Sequence, residues 1–243
     1  MLRKVMGIIV SVTAYGETSL ILNVFTKDLG VIGVMAKGAK NIKSKLRSYV
    51  MPFTFGYFYI YYKENKLSTL KEVDIIDQFK NIHEDITLIS YLNYIVSLSY
   101  ECYKESKVNN IFNIMIEGLK KIDDKLDPMV ISNIIEVKYL DYLGVGINLD
   151  SCSICGNNKD IITISLDDGG LICKNCLNDQ TIYNIKMVKL LRMYYYVDIK
   201  NIGKLDIKDD IKNNINMFLS MYYDKYTGIY LKSKNFLNKV IDF

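Results

Sequence analysis

The chain has 243 residues, half of them hydrophobic and about a quarter charged, with only two prolines. That length supports one large or two modest domains with cores of their own, and the composition excludes a long disordered linker. Net charge is only +4, but residues 1–80 carry twelve Lys/Arg against six Asp/Glu, while residues 81–243 carry nineteen against twenty-one. This change of sign along the chain points to an anionic partner for the first part.

MLRKVMGIIVSV at the start imitates a secretory signal, because two basic residues precede a short apolar run. Thr13, Tyr15 and Glu17 end that run, and no small-residue cleavage site follows. Val5 to Val12 is long enough for a buried strand and too short to cross a bilayer. No run of about 18 apolar residues occurs anywhere, so no membrane span is expected. Five cysteines, four of them in C-x-x-C pairs, suit a reducing cytosol and a metal better than a disulfide framework.

Residues 1–80 read as β. The predicted strands are Met6–Val12, Thr18–Thr26, Val31–Lys37, Phe53–Tyr62 and Leu67–Ile76, with turns at AYGE, Asp28-Leu29-Gly30 and KENK. Five short strands with a longer basic loop or helix after the third fit a small barrel of the oligonucleotide-binding (OB) kind, although other small barrels share the pattern. From Leu29 to Lys63 there is no Asp or Glu, and Lys37, Lys40, Lys43, Lys45 and Arg47 crowd into KGAKNIKSKLR. Like charges this dense are kept where solvent screens them or where something anionic neutralises them. Next to them, Phe53, Phe55, Tyr57, Tyr59 and Tyr61 alternate onto one strand face, with Phe58 and Tyr62 on the other. Proteins that bind single-stranded nucleic acid combine a basic groove with aromatic stacking, so this region is the candidate nucleic-acid-binding surface. One of the two aromatic faces has to be the barrel core, and twenty tyrosines in the chain reduce the weight of any single one. The lysines are the stronger candidates.

The periodicity changes near residue 81. Asn81 and Glu84 resemble a capping box, opening a helix from about Ile82 to Lys104 that is apolar on most sides. A second helix spans about 110–122. Asp127-Pro128 starts a third, with Ile131, Ile134, Ile135, Lys138 and Tyr142 near one stripe, and Gly144 stops it. Glu136 and Asp141 on that helix read as a solvated face. Asn184–Val197 and Asp209–Tyr226 read as two more helices, the last ended by Gly228. The tail YLKSKNFLNKVIDF is mixed and fits a short docked element.

Between the third and fourth helices lie Cys152-x2-Cys155 and, after seventeen residues, Cys173-x2-Cys176. Two residues between cysteines let one tight turn aim both sulfurs at a single point, and two such turns complete a tetrahedron. Gly156 provides a permissive backbone, and Asp-Asp-Gly-Gly at 167–170 writes a hairpin turn. The segment reads as a ribbon holding one structural Zn2+. Four thiolates close the metal's shell, whereas catalytic zinc keeps a position open. The ribbon is not basic, with Lys159 and Lys174 against Asp160, Asp167 and Asp168. Cys102, in the apolar first helix, reads as a core residue.

His83 is the single histidine and no catalytic motif surrounds it, so it reads as a surface or capping residue. Neither a P-loop nor a G-x-G-x-x-G occurs. The sequence offers no credible active site, and a non-enzymatic protein is expected. The layout is α+β and multidomain. A β domain at 1–80, a small barrel or sandwich whose strand pattern fits an OB barrel, precedes an α-helical domain at 81–243, which a zinc ribbon at 151–180 interrupts.

Ordered landmarks carry a family resemblance. They are Tyr15-Gly16-Glu17-Thr18, Phe25-Thr26, Gly30, Ala36-Lys37-Gly38-Ala39-Lys40, Ser44-Lys45-Leu46-Arg47, Leu70-Lys71-Glu72, the ribbon Cys152 to Cys176, and Lys232 to Leu237. Together they resemble the bacterial recombination mediator family RecO over nearly the whole chain. The single motifs are weak and their order is specific. The resemblance implies an OB fold, a helical bundle and a zinc module, in a cytoplasmic, nucleoid-associated protein. It implies binding of single- and double-stranded DNA and annealing of complementary strands. It also implies partnership with RecR and with the C-terminal acidic tail of single-strand-binding protein, so that recombinase is loaded without nucleotide hydrolysis. Some family members lack the cysteines, which favours a structural metal. The alternative reading is a zinc-ribbon RNA-binding or translation-associated protein, since an OB barrel serves RNA as readily as DNA.

Overall fold

The computed structural model describes residues 1–241, so the last two residues of the tail element lie outside it. The chain divides into two units, Met1–Glu84 and a second beginning at Asp85.

The first unit is a closed barrel of β1 (Leu2–Tyr15), β2 (Ser19–Thr26), β3 (Gly30–Ala36), β4 (Phe55–Tyr61) and β5 (Ser68–Asp77). Its order is β1-β2-β3-β5-β4, and β4 pairs back onto β1. β3 and β5 run parallel, and the other neighbours run antiparallel. This is the OB arrangement, in which closure removes the sheet edges. β1 is longer than the apolar run predicts. It begins at Leu2, and its first three residues, Leu2, Arg3 and Lys4, are exposed before burial starts at Val5, so the charges are tolerated at the strand's start. A bulge between Ile9 and Ser11 bends it, as barrel closure requires. Gly7 and Gly56 face each other across β1 and β4. A Cβ at Gly56 would lie 2.3 Å from the Asp74 carbonyl oxygen on β5, so only glycine lets β4 lie this close to β5.

Val5, Ile9, Leu22, Val24, Val34, Phe58, Ile60, Leu70 and Val73 fill the barrel. Each large side chain removed from water contributes about 1.5–3 kcal/mol. The register settles the aromatic strand: Phe58 and Ile60 point into the core, while Tyr57, Tyr59 and Tyr61 point out. Phe55 is buried rather than part of the outer stripe. Phe53 precedes the strand in a left-handed conformation, φ 66°, so the expected alternation does not reach it.

The second unit is a helical bundle of α1 (Ile86–Ser106), α2 (Asn110–Asp123), α3 (Pro128–Tyr142), α4 (Ile185–Tyr196), α5 (Asp209–Tyr226) and α6 (Lys232–Val240). The first helix does not open at Ile82. Ile82–Glu84 makes a 3-10 turn, and Asp85 caps α1, its carboxylate accepting from the Thr87 and Leu88 N–H groups. Asp127 caps α3 in the same way with Pro128 in the first turn, and Gly144 follows its end at φ 74°. α3 is central: Val130 to Val137 are all buried. The mixed tail forms α6, which packs on α1. No helix among the described residues is long and apolar enough to cross a membrane.

α3's central place overturns one expectation. Glu136 is not on a solvated face; it is 1% exposed. Its Oε1 accepts from the Tyr94 hydroxyl at 2.6 Å and from Lys234 Nζ at 2.9 Å, which pins α6 to the core. Asp141 is exposed, as read. Cys102 is fully buried, and burial pushes its thiol up to about 12, so it behaves as a core residue. His83 is exposed, 6.3 Å from the Phe53 ring between centroids.

Candidate metal centre and nucleic-acid interface

The cysteine segment builds a three-stranded sheet between α3 and α4. It consists of β6 (Asn148–Cys152), β7 (Ile161–Ser165) and β8 (Gly170–Cys173), in the order β6-β8-β7. The hairpin turns where Asp-Asp-Gly-Gly predicts, with Gly169 at φ 67° and Ser165 Oγ donating to Asp168 Oδ2 at 2.6 Å. Cys152 ends β6 and Cys173 ends β8, so strand pairing brings the two C-x-x-C turns together. Gly156 at φ 75° closes the first turn, its N–H reaching the Cys152 carbonyl at 2.8 Å. Cys176 enters from a 3-10 turn, Lys174–Cys176.

All four sulfurs, of Cys152, Cys155, Cys173 and Cys176, lie within 4.8 Å of one another. Cys155 Sγ and Cys173 Sγ are 3.7 Å apart. The edge of a tetrahedron with metal–sulfur bonds of 2.3 Å is about 3.8 Å, so the donor set fits a tetrahedral thiophilic ion. Burial acts to raise the Cys152 thiol, but the N–H groups of Cys155, Cys173 and Ile154 outweigh it and bring the thiol down to about 6. Cys176, hydrogen-bonded to Cys155 and crowded by the remaining sulfurs, is pushed up to about 12. Four thiols this close cannot all ionise without a cation among them, and a bound metal supplies that charge. The ribbon is fastened to its own unit. The Tyr226 hydroxyl donates to the Leu166 carbonyl at 2.8 Å, Lys225 pairs with Asp167, and Tyr183 N–H donates to Thr163 Oγ1 at 2.9 Å.

The basic segment between β3 and β4 is neither a long helix nor a free loop. Consecutive turns carry it through Gly38 at φ 67° into a short 3-10 helix, Lys45–Ser48. Ala39 and Val50 are buried in the barrel cluster and Leu46 packs against it, so the loop is riveted at three points. Lys40 N–H donates to the Thr18 carbonyl at 2.9 Å, and Lys40 Nζ donates to the Gly16 carbonyl at 3.1 Å. Between the rivets, Lys37, Lys40, Lys43, Lys45 and Arg47 are all exposed. None of them forms an ion pair among the described residues. The structure thus gathers the five cations on one rigidly seated loop with no carboxylate to neutralise them.

The outer aromatic stripe was only half legible. Lys4 Nζ sits 4.0 Å from the Tyr57 ring centroid and 5.4 Å from that of Tyr59, whose hydroxyl donates to Asp74 Oδ2 at 2.8 Å. Arg3 stacks over Tyr62 at 4.5 Å. Tyr57, Tyr59 and Tyr62 are therefore already engaged, and Lys4 and Arg3 are two further exposed cations of the barrel. The pair of basic residues directly ahead of the apolar run from Val5 was the signal available for these two; their likeness to a signal-peptide start obscured it.

A closed five-stranded OB barrel carrying a cationic loop, and a helical bundle holding a ribbon with four cysteines placed to bind a metal ion, define a two-unit α+β protein. Residues 1–79 match the family model described as recombination protein O N terminal, and residues 83–235 match recombination protein O C terminal. The chain belongs to the RecO family. It is 38% identical over 248 residues to the DNA repair protein RecO of Bacillus cytotoxicus, covering 100% of this chain and 99% of that one. Identity to the protein of the same name from Bacillus pumilus is 36% over 245 residues, covering 99% and 95%. To that of Bacillus cereus it is 37% over 249 residues, covering 100% and 99%.

Proposed function

We propose that this protein is a non-enzymatic recombination mediator in DNA repair. It binds single- and double-stranded DNA, anneals complementary strands, and helps load recombinase onto single strands coated by single-strand-binding protein. The observation that carries the reading is the loop from Lys37 to Arg47: five exposed cations, no carboxylate, and a seat in the barrel core. Cations held this way neutralise phosphates and release condensed counterions, which lowers the repulsion between two approaching strands. The rivets at Ala39, Leu46 and Val50 keep the cations in place, so little ordering cost falls on binding. RecR and the acidic C-terminal tail of single-strand-binding protein are the protein partners in this reading, and the site of action is the cytoplasm around the nucleoid. The relatives named DNA repair proteins, matched over 95% and 99% of their lengths, support the DNA-repair part of this reading.

In this account the ribbon holds one structural Zn2+ through Cys152, Cys155, Cys173 and Cys176. The ion when bound supplies positive charge to four thiolates and links β6 to β8. With all four positions taken by sulfur, the ribbon is a fold element rather than a reaction centre.

Reversing Lys43, Lys45 and Arg47 to Glu tests the surface. Single-strand affinity of the unaltered chain is expected to fall with salt at a log–log slope of about −0.7 per phosphate contacted, and the triple variant should be shallower by about 2. An unchanged slope would remove the loop from the binding surface. Competition between DNA and RNA oligonucleotides of matched sequence addresses the other polymer: a strong RNA preference without annealing would make the protein an RNA binder.

A further inference from the structure

A second cationic surface lies on α4. Between residues 180 and 197 there is no Asp or Glu, while Lys186, Lys189 and Arg192 recur every third residue. At 3.6 residues per turn, Ile185, Lys186, Lys189, Arg192 and Tyr196 fall within an arc of about 120°. All five are exposed, whereas Met187, Val188, Leu191 and Tyr194 on the opposite arc are buried. None of the three cations is ion-paired among the described residues. Arg192 stands 5.9 Å from the Tyr196 ring, and the Tyr196 hydroxyl engages the nearby Asp150.

An ordinary solvated helix face mixes its signs, and the neighbouring helices do so. α1 carries Glu101, Lys104 and Glu105; α2 carries Glu117, Lys120, Lys121 and Asp123; α5 carries Asp209, Asp210, Lys212, Asp224 and Lys225. α4 alone among the helices longer than nine described residues has cations and no anion. Lys186 even stands in the first turn, where the helix macrodipole disfavours a positive charge. Exposed Ile185 and Tyr196 are interleaved with the cations. Phosphates with accessible bases beside them match that mixture, because bases stack on apolar and aromatic side chains while the backbone follows the charges.

We infer that the solvent face of α4, with Lys186, Lys189, Arg192 and Tyr196, is a second binding surface for single-stranded nucleic acid, separate from the barrel loop. It rests on the reading of this chain as a strand-annealing protein and deepens it: one chain then holds a strand on each of its two units, and annealing draws on both surfaces.

The test uses the full chain, a labelled oligothymidylate, and fluorescence anisotropy across salt. The neutral triple Lys186→Ala, Lys189→Ala, Arg192→Ala keeps strong helix formers on an exposed face, and a glutamine triple gives a second neutral form. Circular dichroism establishes that each is folded. Loss of three phosphate contacts should make the log–log slope shallower by about 2, so the affinity lost between about 50 and 200 mM salt shrinks about 20-fold. Annealing of complementary strands should slow as well. If both folded α4 triples keep the unaltered slope and annealing rate, the inference is overturned, and a shallower slope in the barrel-loop triple still leaves the proposed function standing. If the α4 triples change and the barrel-loop triple does not, this surface stands and the loop assignment falls. If none of them changes, both readings fall.

Discussion

Glu136 carries the clearest consequence at the level of single residues. A carboxylate buried to 1% exposure needs partners, and it has Tyr94 from α1 and Lys234 from α6. The Tyr223 hydroxyl also donates to its backbone carbonyl at 2.9 Å. Lys234→Met leaves the carboxylate without its cation and should cost about 3–5 kcal/mol in urea unfolding. The double variant Glu136→Gln, Lys234→Met should recover much of that loss, because no uncompensated charge remains buried. A cost under 1 kcal/mol for Lys234→Met would mean that the pair does not hold α6. Nothing in the sequence marked this site. Glu136 looked like a helix-face carboxylate, and its partners sit 42 and 98 positions away in the chain. Asp85 was missed for a different reason: Asn81 and Glu84 offered a plausible cap four residues earlier, and the chain spends them on a 3-10 turn instead.

At the level of elements, the ribbon and the basic loop behave differently because they are held differently. The ribbon was legible almost to the residue, since metal-ligand spacing is a local property and Asp-Asp-Gly-Gly is a local turn signal. Its sheet order was not legible, because β6 pairs parallel to β8 across the hairpin. One zinc per chain is expected by elemental analysis. Cys155→Ser or Cys173→Ser should lose the ion and lower stability by more than about 3 kcal/mol. DNA contact through the barrel loop should persist in the fraction still folded, because that loop's cations sit on the other unit. A serine variant of unaltered stability that loses all DNA binding would contradict this division of labour. The basic loop was legible in composition and not in conformation. Charge density reads directly from KGAKNIKSKLR, whereas burial of Ala39, Leu46 and Val50 depends on a barrel that closes only when distant strands pair.

At the level of the whole molecule, the sequence's change of period near residue 81 corresponds to a change from barrel to bundle. Period-2 alternation and period-3.6 stripes are the strongest local signals, and both were present. Which aromatic face turned inward was undecidable from β4 alone. The partner strands decide it, since Val5, Ile9, Leu70 and Val73 build a core into which Phe58 and Ile60 fit. α4 reads in the sequence only as one more helix; comparison of its exposed face with those of α1, α2 and α5 reveals the missing carboxylates.

In the proposed function this chain brings complementary strands together by charge. The most direct measurement is annealing of complementary DNA oligonucleotides coated with the cognate single-strand-binding protein, with no nucleotide present. The account predicts acceleration over the spontaneous rate, lost progressively as salt rises and reduced by reversing Lys43, Lys45 and Arg47. Annealing no faster than without the protein, or the same rate with those three residues reversed, would contradict it.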